Sequence, residues 1–196
     1  RSPTLPGSVF RAGAGATPFL IPMMLQIAFG ASATQSGLIS FATSLGALAM
    51  KPMVRPVLRR FGFRHTLLIN GALAALLVGA IGFVTSSWPI AGIFALLALG
   101  GLARSLQFTS LNTLAFADVA PGRMAAATSF YGTAQQLSPA LGVVISSAAL
   151  EVSSALAGRQ TLLQADFSAA FFVAAIVMAA ALPWHARLPR DAGGAV

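Results

Sequence analysis

Residues Thr66 to Val84 read TLLINGALAALLVGAIGFV, nineteen positions without one charged side chain. A helix of that length rises roughly 28 Å at 1.5 Å per residue. That nearly matches a hydrocarbon core about 30 Å thick. Backbone N–H and C=O groups inside hydrocarbon have no water to bond, so the run must satisfy them internally as a helix. Similar apolar runs recur along the 196 residues. Charged residues make up only 8 % of the chain, and mean hydropathy is +0.82. Soluble domains carry about 25 % charged residues. The pattern therefore predicts an all-α integral membrane protein in a lipid bilayer.

Six transmembrane helices are expected as one bundle over 1–196, at approximately 8–29, 37–58, 65–84, 89–111, 125–149 and 167–184. Six crossings gather the basic residues on one side. Arg1, Arg11, Lys51, Arg55, Arg59, Arg60, Arg64, Arg104, Arg123, Arg187 and Arg190 fall there, and only Arg159 falls opposite. Lys and Arg near span ends are retained in the cytoplasm. Both termini and the loop 51–65 are thus expected to be cytoplasmic, in a multi-pass protein of the inner (plasma) membrane. The net charge of +8 and pI near 11.9 would suggest nucleic-acid binding in a soluble chain. Between apolar spans they read as topology, and no nucleic-acid partner is expected.

The loop 51–65, KPMVRPVLRRFGFRH, holds five of the 12 basic residues. Gly62 stands where one helix must end and another begin, and glycine accepts the positive φ of such a turn. With Gly46 upstream, the order Arg59, Arg60, Gly62, Arg64 resembles the Gly-x-x-x-Asp-Arg-x-Gly-Arg-Arg loop signature of the major facilitator superfamily, its Asp missing and Arg59 near that place. PFLIPMMLQIAFG, RSLQFTSLNTLAFADV and SFYGTAQQLSPALGV are similar to the C-terminal half of fourteen-span bacterial drug:proton antiporters. The resemblance implies two inverted three-helix repeats, half of a major facilitator fold. It also implies a missing N-terminal half of six to eight helices, and a loop motif that biases the transport conformations. The implied activity is secondary active efflux of small amphipathic molecules, driven by the proton gradient. Alternatives are a non-transporting fragment or regulatory half, and a homodimeric six-span transporter or channel.

Polar groups within spans are costly and usually face the bundle interior or a cavity. In the first helix Arg11, Gly15, Pro18, Pro22 and Gln26 share one stripe at 100° per residue. In the fourth, Arg104 and Gln107 lie on one face, with Ser105, Thr109 and Asn112 beside them. Arg104 is expected about two turns from the cytoplasmic end. In the fifth, Thr128, Gly132, Gln135, Gln136 and Pro139 share a side. The expected substrate path comprises Gln26, Pro22, Arg104, Gln107, Asn112, Gln135 and Gln136. The third and sixth helices lack strong polarity and are expected at the lipid-facing periphery. Small residues are so common that their spacing discriminates nothing.

No carboxylate falls in mid-span. His65 and His185 are expected at cytoplasmic helix ends. Protons are therefore expected to couple through the missing half. No cofactor or metal is expected: cysteine is absent, and no His/Asp/Glu cluster has ligand spacing. No phosphate-binding Gly-rich loop occurs, and no enzyme is expected.

Overall fold

The computed structural model describes residues 4–117, 122 and 124–189. Arg1, Asp118, Arg123, Arg190 and Asp191 of the charge pattern lie outside them. The first rod is built from α1 (Thr4–Gly15), α2 (Thr17–Met23) and a π segment (Met24–Ala28). Pro18 opens α2, where its missing N–H is harmless, and Pro22 lies inside it. A proline inside a helix removes one i→i−4 bond and presses on the preceding turn. The backbone widens within one turn of it: Phe29 N–H bonds Met24 O at 3.2 Å, a spacing of five residues. Gly30, with φ 68°, ends the rod.

Ser32 and Gln35 start α3 (Ala33–Met50) reciprocally. Gln35 N–H donates to Ser32 Oγ at 3.2 Å, and Ser32 N–H donates to Gln35 Oε1 at 3.1 Å. Such a box supplies about 1 kcal/mol. A 3₁₀ turn, Lys51–Met53, leads into α4 (Val54–Ile81). Helical geometry breaks inside α4 at Gly62, where φ is 71° and ψ 165°. That region is open essentially to glycine alone.

The other elements are α5 (Ile90–Ala117), α6 (Met124–Leu156), α7 (Gln164–Ala179) and α8 (Leu182–Ala186). Among the described residues, four segments are long and apolar enough to cross a membrane: Ala33–Ile81, Ile90–Phe116, Met124–Leu156 and Gln164–Ala186. Against the predicted 89–111 and 125–149, α5 runs to Ala117 and α6 to Leu156. Arg104 consequently lies thirteen residues from the end of α5, roughly 20 Å along the axis. It is in mid-helix, not two turns from the end.

The packing has an internal two-fold pattern. α1 lies against α6 and α7, α5 lies against α3 and α4, and α4 lies against α7. Exchanging the first three rods with the last three maps these neighbours onto one another. Among the described residues, only the α6–α7 packing lacks a comparable counterpart. At both equivalent crossings the backbones touch. A Cβ on Gly46 would overlap the Ala98 carbonyl, and one on Gly101 the Thr43 carbonyl. A Cβ on Gly142 would overlap the Ala12 carbonyl, and one on Gly15 would strike Pro139. In lipid, helices gain little by hiding apolar surface from one another, so close van der Waals contact at small residues is what holds them.

Phe10, Leu20, Leu67, Phe167 and Phe171 fill the centre and are fully buried. α4 and α7 each contribute one face to this core and expose large apolar side chains on the other, among them Ile69, Leu73 and Leu76 on α4 and Ile176 on α7. The open helix is α6. Only 17 % of its most apolar stretch is buried, against 39 % of the corresponding stretch running through α7 and α8.

At the far end from Gly62, Asp166 organises the α6–α7 connection. It accepts Ser153 Oγ at 2.6 Å, Arg159 Nη2 at 2.9 Å and Leu163 N–H at 2.8 Å. Ser168 Oγ donates to Gly82 O at 2.6 Å, and Gln164 Nε2 to Val84 O at 3.0 Å, which ties α7 to the end of α4.

The crossings make a direct prediction. Gly46→Val and Gly142→Val each force two backbones apart, and overpacking of this kind costs about 1–3 kcal/mol. Both variants should unfold at lower temperature in mild detergent, while Gly37→Ala, which meets open space, should not. Equal melting of all three would remove the crossings as the stabilising contact.

Candidate functional site

Among the described residues, three polar clusters and a cavity each join different helices. The first centres on Arg11, which is 3 % exposed although it was counted with the cytoplasmic charges. Its Nη2 donates to Asn112 Oδ1 at 2.6 Å and to the Tyr131 hydroxyl at 2.9 Å. Tyr131 OH donates to the same Asn112 oxygen at 3.1 Å. The guanidinium also lies 5.2 Å from the Phe108 ring centre and 5.1 Å from that of Tyr131. Ring faces attract a cation more strongly when water is excluded. A single cation thus joins α1, α5 and α6 without a carboxylate among these partners.

The second cluster joins α4 to α5. Asn70 Nδ2 donates to Ala103 O at 2.8 Å and to Gln107 Oε1 at 2.9 Å, and Gln107 Nε2 donates to Leu67 O at 3.0 Å. Gln107 is fully buried. Its amide oxygen and nitrogen are both committed to the third rod. A residue expected on the substrate path is therefore placed between helices.

The third cluster sits at the π segment. Ser36 Oγ lies 3.3 Å from Pro22 O, to which it donates, and 3.4 Å from Gln26 Nε2. Gln26 is otherwise exposed, and Pro22 is half-buried. On α6, Gln135 is half-buried and Gln136 exposed. The structure brings Asn112 to Arg11 but does not bring Gln26, Gln107 and Gln135 together.

Arg104 lines a cavity between the rods, with Thr17, Thr43, Ile21, Val78 and Leu97 among its walls. Arg104 and Thr43 are half-buried, and the Thr17 hydroxyl is buried without a hydrogen-bond partner. In the loop, Arg59 and Arg60 are exposed and Arg64 is half-buried. Arg60 lies 5.9 Å from the Phe61 ring centre. Gly46, proposed from the sequence as part of this motif, is at the α3–α5 crossing. His185 lies in the last turn of α8 and is buried. Among the described residues no group of three or more His, Asp or Glu side chains could hold a metal.

Sequence reasoning missed Asn70, Tyr131, Thr17 and Ser36. Asn70 had a signal, as the single amide in the run from Thr66 to Val84, and Tyr131 is the chain's only tyrosine. Thr17 and Ser36 had none.

Helices of this length and apolarity, with polar groups matched between rods, define a multi-pass all-α membrane protein. The profile of the Major Facilitator Superfamily matches residues 7–195, and the chain belongs to that family. It is 28 % identical over 174 residues to "Probable transport protein HsrA" of Haemophilus influenzae, covering 89 % of this chain and 37 % of that protein. It is 35 % identical over 137 residues to "Putative multidrug resistance protein MdtD" of Escherichia coli O6:H1, covering 69 % and 29 %. The protein of that name from Escherichia fergusonii is 31 % identical over 185 residues, covering 92 % and 39 %. The chain thus spans well under half the length of these curated relatives. No solved structure matches it.

The amide pair between α4 and α5 has a measurable coupling. Gln107→Leu removes the side-chain donor to Leu67 O and costs Asn70 one acceptor. Interhelical side-chain bonds in membranes are worth about 0.6 kcal/mol on average and up to about 1.7. Gln107→Leu and Asn70→Leu should each lower thermal stability, and the double variant should lose less than the sum. Strict additivity in that cycle would show that the amides do not act as a pair.

Proposed function

We propose that this chain is the C-terminal six-helix half of a secondary transporter that exports small amphipathic molecules. The membership of residues 7–195 in the Major Facilitator Superfamily supports transport. The names of the MdtD relatives support drug-like substrates. The observation that carries the path is the exposure of polar side chains on otherwise apolar helices: Gln26 on the π segment, Thr109 on α5, Thr133 and Gln136 on α6. Lipid disfavours such groups, so these faces are read as lining a wet cavity shared with the N-terminal half. Pro22, Asn112 and Gln135 belong to the same path, whereas Arg104 and Gln107 act inside the bundle. The large apolar side chains exposed on α3 and α6, such as Phe41, Leu45, Leu137 and Leu141, supply the surface that the other half covers. Energy comes from the proton gradient through acidic groups of that half. The protein performs no covalent chemistry.

Substrate profiles test the path. Gln26→Leu and Gln136→Leu, in the full-length protein, should change which compounds are exported by several-fold while thermal stability stays within experimental error. A protonophore should abolish export by all forms. A uniform loss across chemically different compounds, accompanied by lower stability, would remove these residues from the path.

The orientation places the loop with Arg59, Arg60, Gly62 and Arg64 in the cytoplasm, where it biases the inward–outward equilibrium. The chain contains no cysteine, so single ones can be read cleanly. A cysteine at position 60 should react only from the cytoplasmic side and one at position 158 only from outside. Outside labelling at position 60 would overturn both the orientation and the loop assignment.

A further inference from the structure

Between Thr66 and Ile81 the exposed side chains of α4 are Ile69, Leu73 and Leu76, at 65 %, 48 % and 71 %. Four and three residues apart, they form one stripe on the helix. Other sides of α4 pack against α5, α7 and α8. No polar side chain interrupts the stripe, whereas the exposed faces of α5 and α6 carry Thr109, Thr133 and Gln136. A purely apolar face is at home against acyl chains and not in a wet cavity. From His65, one turn before Ile69, to Leu76 the helix rises roughly 16 Å. That is about half of a hydrocarbon core roughly 30 Å thick, so the stripe spans one leaflet.

The two ends of α4 differ in charge. Beyond Ile81 the chain reads GFVTSSWP, without a charged residue. At the Gly62 end, Arg59, Arg60 and His65 are exposed and Arg64 is half-buried. Phe61 stands exposed among them, with the Arg60 guanidinium 5.9 Å from its ring centre. None of these basic groups forms an ion pair with a described residue. The chain's first acidic residue is Asp118, and the described carboxylates, Glu151 and Asp166, belong to the opposite end of the bundle. Fixing topology requires only that cations be more numerous on one side. It does not require them at the foot of a stripe one leaflet long, with an exposed aromatic ring beside them. Basic side chains next to the headgroup layer attract anionic lipids, and the attraction grows with each one.

We propose that α4 and the turn at Gly62 bind one anionic glycerophospholipid in the leaflet on the Gly62 side. Its acyl chains lie along Ile69, Leu73 and Leu76, and Arg60 and Arg64 receive its phosphate. The Arg64 stem follows the helix surface while the guanidinium reaches the headgroup layer. Phe61 supplies apolar contact at the boundary between headgroup and chain. The lipid brings the negative charge that residues 1–117 lack, and it holds the turn against the membrane. The site is independent of whether the protein transports anything.

Thermal unfolding of the full-length protein in dodecyl maltoside micelles tests this at constant ionic strength and pH. Dioleoyl phosphatidylglycerol, dioleoyl phosphatidylcholine or glycerol 3-phosphate is added stepwise. Phosphatidylglycerol should raise the melting temperature saturably, with half-saturation about ten-fold or more below that of phosphatidylcholine. Glycerol 3-phosphate, a headgroup without chains, should have no effect. Arg60→Gln and Arg64→Gln should each weaken the apparent affinity for phosphatidylglycerol about five-fold, the size expected for one basic side chain at an anionic surface. Neither should change the response to phosphatidylcholine. Arg60 is exposed, so Arg60→Gln carries the test if Arg64→Gln fails to fold. Equal stabilisation by the two lipids would overturn the proposal. So would stabilisation by glycerol 3-phosphate alone, which would mark a free-phosphate site. A phosphatidylglycerol affinity untouched by Arg60→Gln would overturn it too. If that variant then melts lower by the same amount with and without lipid, the cation serves an acidic segment of the protein instead.

Discussion

Contact between helix backbones is the constraint on which the bundle depends. At Gly46 and Gly101 the carbonyls of α3 and α5 lie where a side chain would otherwise be; at Gly142 the Ala12 carbonyl of α1 does the same, and at Gly15 it is Pro139 of α6. Hydrocarbon solvates leucine as well as a protein interior does, so two apolar helices gain little by merely meeting. They gain when many atoms reach van der Waals distance together, which requires a surface without protrusions. Because the two crossings are equivalent under exchange of the repeats, each half of the bundle is fixed by the same device. The spacing they impose sets which side chains elsewhere can touch.

The polar clusters are read most simply as consequences of that spacing. With α1 held against α6, and α5 beside them, the Arg11 guanidinium finds an amide oxygen, a phenol and two ring faces within reach. With α5 held against α4, Gln107 and Asn70 exchange their hydrogen bonds and also take backbone carbonyls of the facing helices. Each bond is small, but leaving such a group unpaired in an apolar interior costs more than the bond returns. The clusters therefore act chiefly against alternative packings.

The all-α membrane class was legible because charge-free runs of membrane length admit few other solutions. The positive φ of Gly62 was legible from its place between two helical patterns. The stripe of Arg11 was visible too, but whether it meets lipid headgroups, water or Asn112 depends on residues a hundred positions away. Helix ends were less legible. The polar sequence at 109–113 resembles a helix exit, yet Thr113 bonds back to the Thr109 carbonyl within α5, and the helix continues. That extension moved Arg104 to mid-span. The crossing glycines were invisible for another reason. The chain has 19 glycines, and spacing alone does not separate those meeting a carbonyl from those, like Gly37 and Gly100, that meet open space.

Gly62 also bears on how many times the chain can cross a bilayer. The helical run containing it extends from Ala33 to Ile81, 49 residues. As one unbroken rod it would measure roughly 74 Å, more than twice the thickness of a hydrocarbon core. It would carry five cations near its midpoint. Such a rod could be buried only along part of its length, and its second apolar stretch would be left in water. Prolines at 52 and 56 loosen the helix but leave its direction free to continue. The reversal needs a residue at ease in the mirror-image region of backbone space, and this run supplies it at Gly62 alone. In stereochemical terms, a D-amino acid would be more comfortable at position 62 than any L-residue bearing a side chain.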